Sequence, residues 1–79
     1  MTVQYQSAST RLFQDSAEQL ALRLEQEGSE AAAVLAREAR ELSARFTVWA
    51  EERPSDDERV ATIQRLFDLN RRAMDYLAA

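Results

Sequence analysis

The chain contains very few residues that would break a helix. Its 79 residues include one glycine, Gly28, and one proline, Pro54. Turns and hairpins depend heavily on these two residue types, because glycine supplies positive φ angles and proline fixes φ near −65°. Apolar residues recur at intervals of three and four rather than in strict alternation, which is typical of helices. We therefore predict an all-α protein in which Gly28 and Pro54 mark the boundaries between helices.

The segment around Pro54 predicts the end of one helix and the start of another. A residue before proline is pushed out of the α region, so the preceding helix should end just before it. Ser55 and Glu58 have the spacing of a capping box, and the acidic residues after Ser55 favour the positive end of a helix dipole. We expect the last helix over 56–78. The face that we assign to its core comprises Val60, Ile63, Phe67, Met74 and Leu77.

Gly28 and Ser29 predict a second boundary. Glycine is the usual left-handed residue after a helix, and serine is a favoured N-cap of the next helix. The first helix then covers residues 8–26 and the middle helix residues 30–52. The start of the first helix is open. Its candidate caps are Ser7, Ser9 and Thr10, and a capping-box pair further along (Ser16 and Gln19) would instead leave residues 8–15 as a separate turn.

One feature favours a different arrangement, in which the chain does not break at Gly28. The apolar positions before this residue continue almost in phase with those after it, as in one uninterrupted helix. A glycine inside a helix costs only about 1 kcal/mol relative to alanine. The alternative is therefore a long helix followed by a shorter one, as a hairpin that dimerises. We predict a compact antiparallel bundle of three helices in a single domain, 1–79, because an isolated long helix leaves half of its apolar stripe uncovered.

Composition excludes several kinds of chemistry. The chain has no cysteine and no histidine, so disulfides, thiol catalysis, zinc fingers and imidazole bases are absent. Pairs of glutamates such as Glu27 and Glu30 have metal-ligand spacing, but their opposite-charge neighbours are typical of solvated helix faces. We expect no catalytic residue, no cofactor and no metal, and therefore no enzyme. No run of apolar residues is long enough to span a membrane, and the absence of a basic, apolar leader predicts a cytoplasmic location.

The charge pattern argues against nucleic acid as a partner. All ten basic residues are arginines, and fourteen acidic residues give a net charge of −4. The candidate cluster, Arg65, Arg71 and Arg72, is interleaved with Asp68 and Asp75, which should neutralise much of its field. An evenly mixed acidic surface repels phosphates. A helical hairpin that binds structured RNA through this arginine cluster is therefore only a less favoured alternative for the function.

Apolar residues outside the main stripes indicate a protein partner. Leu69 and Tyr76 are seven residues apart on the last helix, rotated away from its assigned core face, and they share a side with Arg65 and Arg72. Aromatic, aliphatic and arginine side chains together are typical of interface centres. We therefore predict that these four residues bind a partner on the outer face of the last helix. Other apolar residues off the main stripes are Leu22, Val34 and Val48.

The function predicted from these features is a small acidic protein–protein interaction module, such as a regulator, an adaptor or a chaperone-like subunit. The alternative is a structural subunit that assembles with itself. Asn70 bears on that alternative, because it falls between Ile63 and Leu77 in a heptad row. A single asparagine in such a row can fix the register or the oligomeric state of paired helices, unless it simply points into solvent.

Overall fold

The computed structural model describes residues 8–79, and this part of the chain forms three α-helices and no strand. Helix α1 spans Ala8–Glu27, α2 spans Glu30–Val48 and α3 spans Asp56–Ala78. All three helices contribute to one buried cluster, so the prediction of a small all-α three-helix bundle is confirmed. Residues 8–15 belong to α1, so the separate turn is wrong. The side chains of Ser7 and Ser9, two of the candidate caps, lie outside the described part.

The boundary between α1 and α2 falls at Gly28, as predicted. Gly28 has a φ of 74°, in the left-handed region. The hydroxyl of Ser29 accepts a hydrogen bond from the backbone N–H of Ala32 at 3.1 Å, which makes Ser29 the N-cap of α2. Because the chain reverses here, the alternative of one continuous long helix is wrong.

Helix α2 is shorter than predicted, since it ends at Val48 instead of near residue 52. At its end the α-helix gives way to 3₁₀-type hydrogen bonds between residues three apart. The N–H of Ala50 donates to the Thr47 carbonyl, and the N–H of Glu51 donates to the Val48 carbonyl. Such tightening is common where a helix ends. It carries the chain away from the helix axis well before Pro54. Pro54 therefore prevents the helix from continuing past this point, but it does not determine where α2 ends.

Helices α1 and α2 pack closely because their facing sides are rich in alanine. Small side chains allow two helix backbones to approach, and the leucines and aromatic rings then fill the space toward α3. Phe46, Leu24 and Leu42 are among the largest fully buried side chains. The buried alanines of the two helices are Ala17, Ala21, Ala32, Ala36 and Ala39.

The core face of α3 differs from the prediction. Val60, Phe67 and Met74 were assigned to the core, but they are 56%, 60% and 52% exposed. The residues that are buried instead are Thr62, Leu66, Leu69 and Ala73.

The physical reason is that α3 carries two apolar rows at helical spacing, and side-chain size does not decide which row faces the core. Polar contacts on one side of α3 match the observed rotation. The guanidinium of Arg72 bonds both carboxylate oxygens of Glu38 on α2 at 3.1 Å. The hydroxyl of Tyr76 shares a hydrogen bond with that of Ser29. With this side turned toward α2, the row that contains Leu69 points inward.

Candidate interaction surface

The structure places the four predicted partner-binding residues in different environments. Leu69 is fully buried, so the prediction that it lies on the outer face of α3 is wrong. Tyr76 is half-buried and bonded to Ser29, while Arg72 is held by Glu38 and Asp68. Arg65 is exposed. The fold does not test whether these residues bind a partner, but Leu69 would have to leave the core to take part.

A second row of α3, which is mostly apolar and mostly exposed, lies outside the core, and we call it the outer stripe. It consists of Val60, Ile63, Phe67, Asn70, Met74 and Leu77. These positions alternate by three and four residues over eighteen residues, which is the a/d pattern of a coiled-coil seam. Ile63 and Leu77 pack partly against the core, while the remaining four are exposed. Isolated exposed apolar residues need no explanation, but a continuous row of them is typical of a binding surface.

Helix α1 extends this surface on one side. A shallow groove runs between the two helices and is lined by Ser16, Gln19, Leu20, Arg23, Asn70 and Met74. Leu12 lies four residues before Ser16 and therefore on the same side of α1. Its side chain is 68% exposed, the largest fraction among the exposed large apolar residues of the described part. The outer stripe, the groove and Leu12 together form one face of the bundle.

Aromatic contacts anchor this face to the core. The ring of Phe67 meets the ring of Phe13 edge-on, with centroids 6.1 Å apart and planes at 80°. Phe13 in turn stacks on Phe46 at 5.9 Å, and Phe46 meets Trp49 at 5.0 Å. Edge-on and offset arrangements at these distances are favourable. Phe67 is thus fixed along one edge while most of its surface faces solvent, which gives the stripe a well-positioned centre.

None of the ion pairs among residues 8–79 involves a residue of the outer stripe. Arg40 donates two hydrogen bonds to the carboxylate of Glu25, the shorter at 2.7 Å, and these bonds hold the pKa of Glu25 below its ordinary value. Arg71 and Arg72 both bond Asp68, at 2.8 and 3.0 Å, and Arg71 in particular lowers the pKa of that carboxyl. Two of the arginines considered for nucleic-acid binding are therefore already paired with carboxylates.

Several charged residues near the face are not paired in this way, among them Arg23, Asp56 and Asp57. Among residues 8–79, Arg23 makes no ion pair, and the same holds for Asp56 and Asp57. Arg23 lines the groove toward the end of α1, and the two aspartates occupy the first turn of α3. The carboxylate of Glu58 turns to Arg45 at 3.6 Å, so that the capping box contributes its serine half: the Ser55 hydroxyl accepts from the Glu58 N–H.

No group of three or more acidic, cysteine or histidine residues is placed to hold a metal ion within 8–79. None of the three helices is long and apolar enough to cross a membrane. Comparisons with protein-family models, with curated proteins and with solved structures give no match.

The row of residues that forms the outer stripe can be recognised in the sequence, but it was assigned to the core instead of the surface. The heptad row and the place of Asn70 in it are legible from spacing alone. The row was assigned to the core because its apolar residues share one face of the helix. Only the packing of α3 on α2 shows that a second row, with Leu66 and Leu69, takes the interior.

Proposed function

We propose that this protein is a protein–protein interaction module that binds a helix along the outer stripe of α3. The observation that carries the proposal is the exposure of Val60, Phe67 and Met74 at exact seven-residue intervals. A partner helix with its own heptad row can insert side chains between these residues and cover them along five turns. A regulator, an adaptor or a chaperone-like subunit could each use such a surface. The cytoplasmic location expected from the sequence stays part of the proposal.

The geometry of the bundle supports this function in two ways. Helix α3 is fixed to α2 by the polar contacts of Arg72 and Tyr76, so that a partner need not order it. The groove beside α1 supplies a polar rim, with Ser16 and Gln19, around an apolar centre. An apolar centre within a polar rim is the usual anatomy of a protein interface.

Site-specific photo-cross-linking tests the proposal. Phe67→p-benzoylphenylalanine places the reactive group at the centre of the stripe. Val34→p-benzoylphenylalanine is the matched control, since Val34 is 58% exposed against 60% for Phe67 but lies on α2. Irradiation in cells of the native host should give a discrete protein adduct from the position of Phe67 and none from that of Val34. Equal labelling at both positions, or no adduct at Phe67, would show that the stripe is not a binding surface.

A further inference from the structure

We infer that the helix bound along the outer stripe is α3 of a second copy of this chain, in antiparallel orientation. This inference rests on the proposed function, and it names the partner. Three observations carry it: the stripe is complementary to itself when reversed, its N-terminal end carries acidic residues that repel each other in the parallel arrangement, and unpaired charges of α1 and α3 meet in the antiparallel one.

The first step is the register of the two helices. In the outer stripe, Val60, Phe67 and Met74 occupy a positions, and Ile63, Asn70 and Leu77 occupy d positions. In an antiparallel pair, the a positions of one helix face the d positions of the other. About a two-fold axis between Phe67 and Asn70, Val60 faces Leu77, Ile63 faces Met74, and Phe67 faces Asn70 of the other copy. Every residue of the stripe then has a facing residue. A shift by one heptad toward the N-termini sets the apolar side chain of Met74 against the carboxylate of Asp56.

Asn70 explains why this register is preferred. The two Asn70 residues lie three residues apart along the paired helices, which corresponds to about 4.5 Å of axial distance. Their side-chain amides can therefore reach each other next to the two-fold axis. A buried asparagine that finds a partner only in one alignment specifies register and orientation. Asn70 is exposed in the isolated chain, so its amide is available for this contact.

Charge separates the antiparallel from the parallel arrangement. A parallel, in-register pair brings Asp56 and Asp57 of both copies together at one end, and like charges in contact are unfavourable. The antiparallel pair places the two acidic ends at opposite ends of a helix that is about 34 Å long. The acidic first turns then no longer face each other.

The same arrangement supplies a partner for Arg23. Helices α1 and α3 run in the same direction, with Phe13 beside Phe67 and Leu20 beside Met74 in the groove. Each residue of α1 thus lies level with the residue of α3 whose number is higher by about 54. Arg23 therefore lies level with Leu77, and Leu77 faces Val60 of the other copy. Asp56 of the other copy lies one turn beyond, at an axial distance of about 6 Å that an arginine side chain can span. Charges that are unpaired in one chain thus become complementary between two.

Engineered cysteines test the register directly, because the natural chain has none to compete. Phe67→Cys leaves Asn70 in place, and it should form a disulfide-linked dimer on mild oxidation because the two copies of residue 67 lie about 4.5 Å apart along the axis. Val60→Cys alone should not, since its two copies lie about 25 Å apart along the axis, but a mixture of Val60→Cys and Leu77→Cys should cross-link. Val34→Cys, exposed on α2, is the control. Cross-linking of Val60→Cys alone, or none above the control in any arm, would overturn the inference.

A charge exchange gives a second, non-covalent readout. Arg23→Glu should raise the dimer dissociation constant by about twofold to thirtyfold, since a surface ion pair is lost twice in a two-fold dimer. Adding Asp56→Arg and Asp57→Arg to the same chain should restore most of the affinity. Arg37→Glu on α2 is the matched control and should leave the affinity unchanged. Equal effects of Arg23→Glu and Arg37→Glu would contradict the proposed contact.

The mass of the photo-adduct at Phe67 separates the failure of this inference from that of the proposed function. An adduct of twice the chain mass supports self-association. A discrete adduct with a different protein, together with no disulfide above the control, would overturn the second copy as partner while leaving the interaction module intact. No adduct at Phe67 would remove both.

Discussion

Replacement of Gly28 by alanine tests the reversal on which the whole bundle depends. A Cβ atom added at Gly28 meets no other atom within 4 Å, so steric contact with the rest of the fold contributes nothing. The cost comes from the backbone, because a φ of 74° is unfavourable for an L-residue by about 1–2 kcal/mol. Alanine also lowers the conformational entropy of the unfolded chain, and this effect stabilises the folded variant by about 0.4–1 kcal/mol. We expect Gly28→Ala to lower the free energy of unfolding by about 1 kcal/mol.

Urea unfolding followed by far-ultraviolet circular dichroism measures this change. Both proteins should be compared at one fixed concentration, because self-association makes stability concentration-dependent. The midpoint should fall while the slope with denaturant stays the same, since the surface exposed on unfolding is unaltered. Gly28→Asn is the matched control: asparagine tolerates the left-handed region better, and its loss should be clearly smaller.

The sign of the effect decides between two folds. In a continuous helix, alanine would be better than glycine by about 1 kcal/mol, so the variant would be stabilised. An increase in the free energy of unfolding for Gly28→Ala would therefore refute the reversal at this residue, together with the packing of α1 on α2 that follows from it.

Three further predictions concern the capping, the core and the ion pairs. Ser55→Ala should lower the free energy of unfolding by about 0.5–2 kcal/mol because α3 loses its N-cap acceptor; an unchanged urea midpoint would contradict this role. Leu69→Ala should cost about 2–5 kcal/mol by opening a cavity, whereas Met74→Ala, at a site that is half-exposed in a single chain, should cost much less when the protein is dilute enough to be monomeric. Equal losses under these conditions would show that the wrong row was placed in the core. Arg40 lowers the pKa of Glu25, so the folded state binds fewer protons there; this contribution is present at neutral pH and is lost as the pH falls below the ordinary pKa of the carboxyl and through its lowered value. Glu25→Gln should flatten the acid side of a stability–pH profile, and an unchanged profile would count against the pair.

The helix boundaries were the part of the fold that local sequence could predict. Gly28 and Ser55 each act through their own backbone or a neighbouring N–H, so their effect is readable from a few residues. The end of α2 was less accessible to local sequence, because Trp49, the residue that follows Val48, is buried in the core and its packing depends on residues far away in the chain.

The rotation of α3 could not be derived from its own sequence. Two apolar rows compete for the core, and the choice depends on contacts across the bundle, such as that between Arg72 and Glu38. The misassigned row became the candidate site. Leu69 was expected on the surface for the same reason that Phe67 was expected inside, so one error of rotation accounts for both.

Sedimentation equilibrium of the unaltered protein over a wide concentration range tests the central claim most directly. The claim is that the outer stripe of α3 is covered by the same stripe of a second copy. The account predicts a mass that rises from the 9.0 kDa of one chain to twice that value and no further, because a two-fold pair of stripes leaves no free end. A mass that stays at 9.0 kDa up to high concentration, or one that grows beyond two chains, would contradict it.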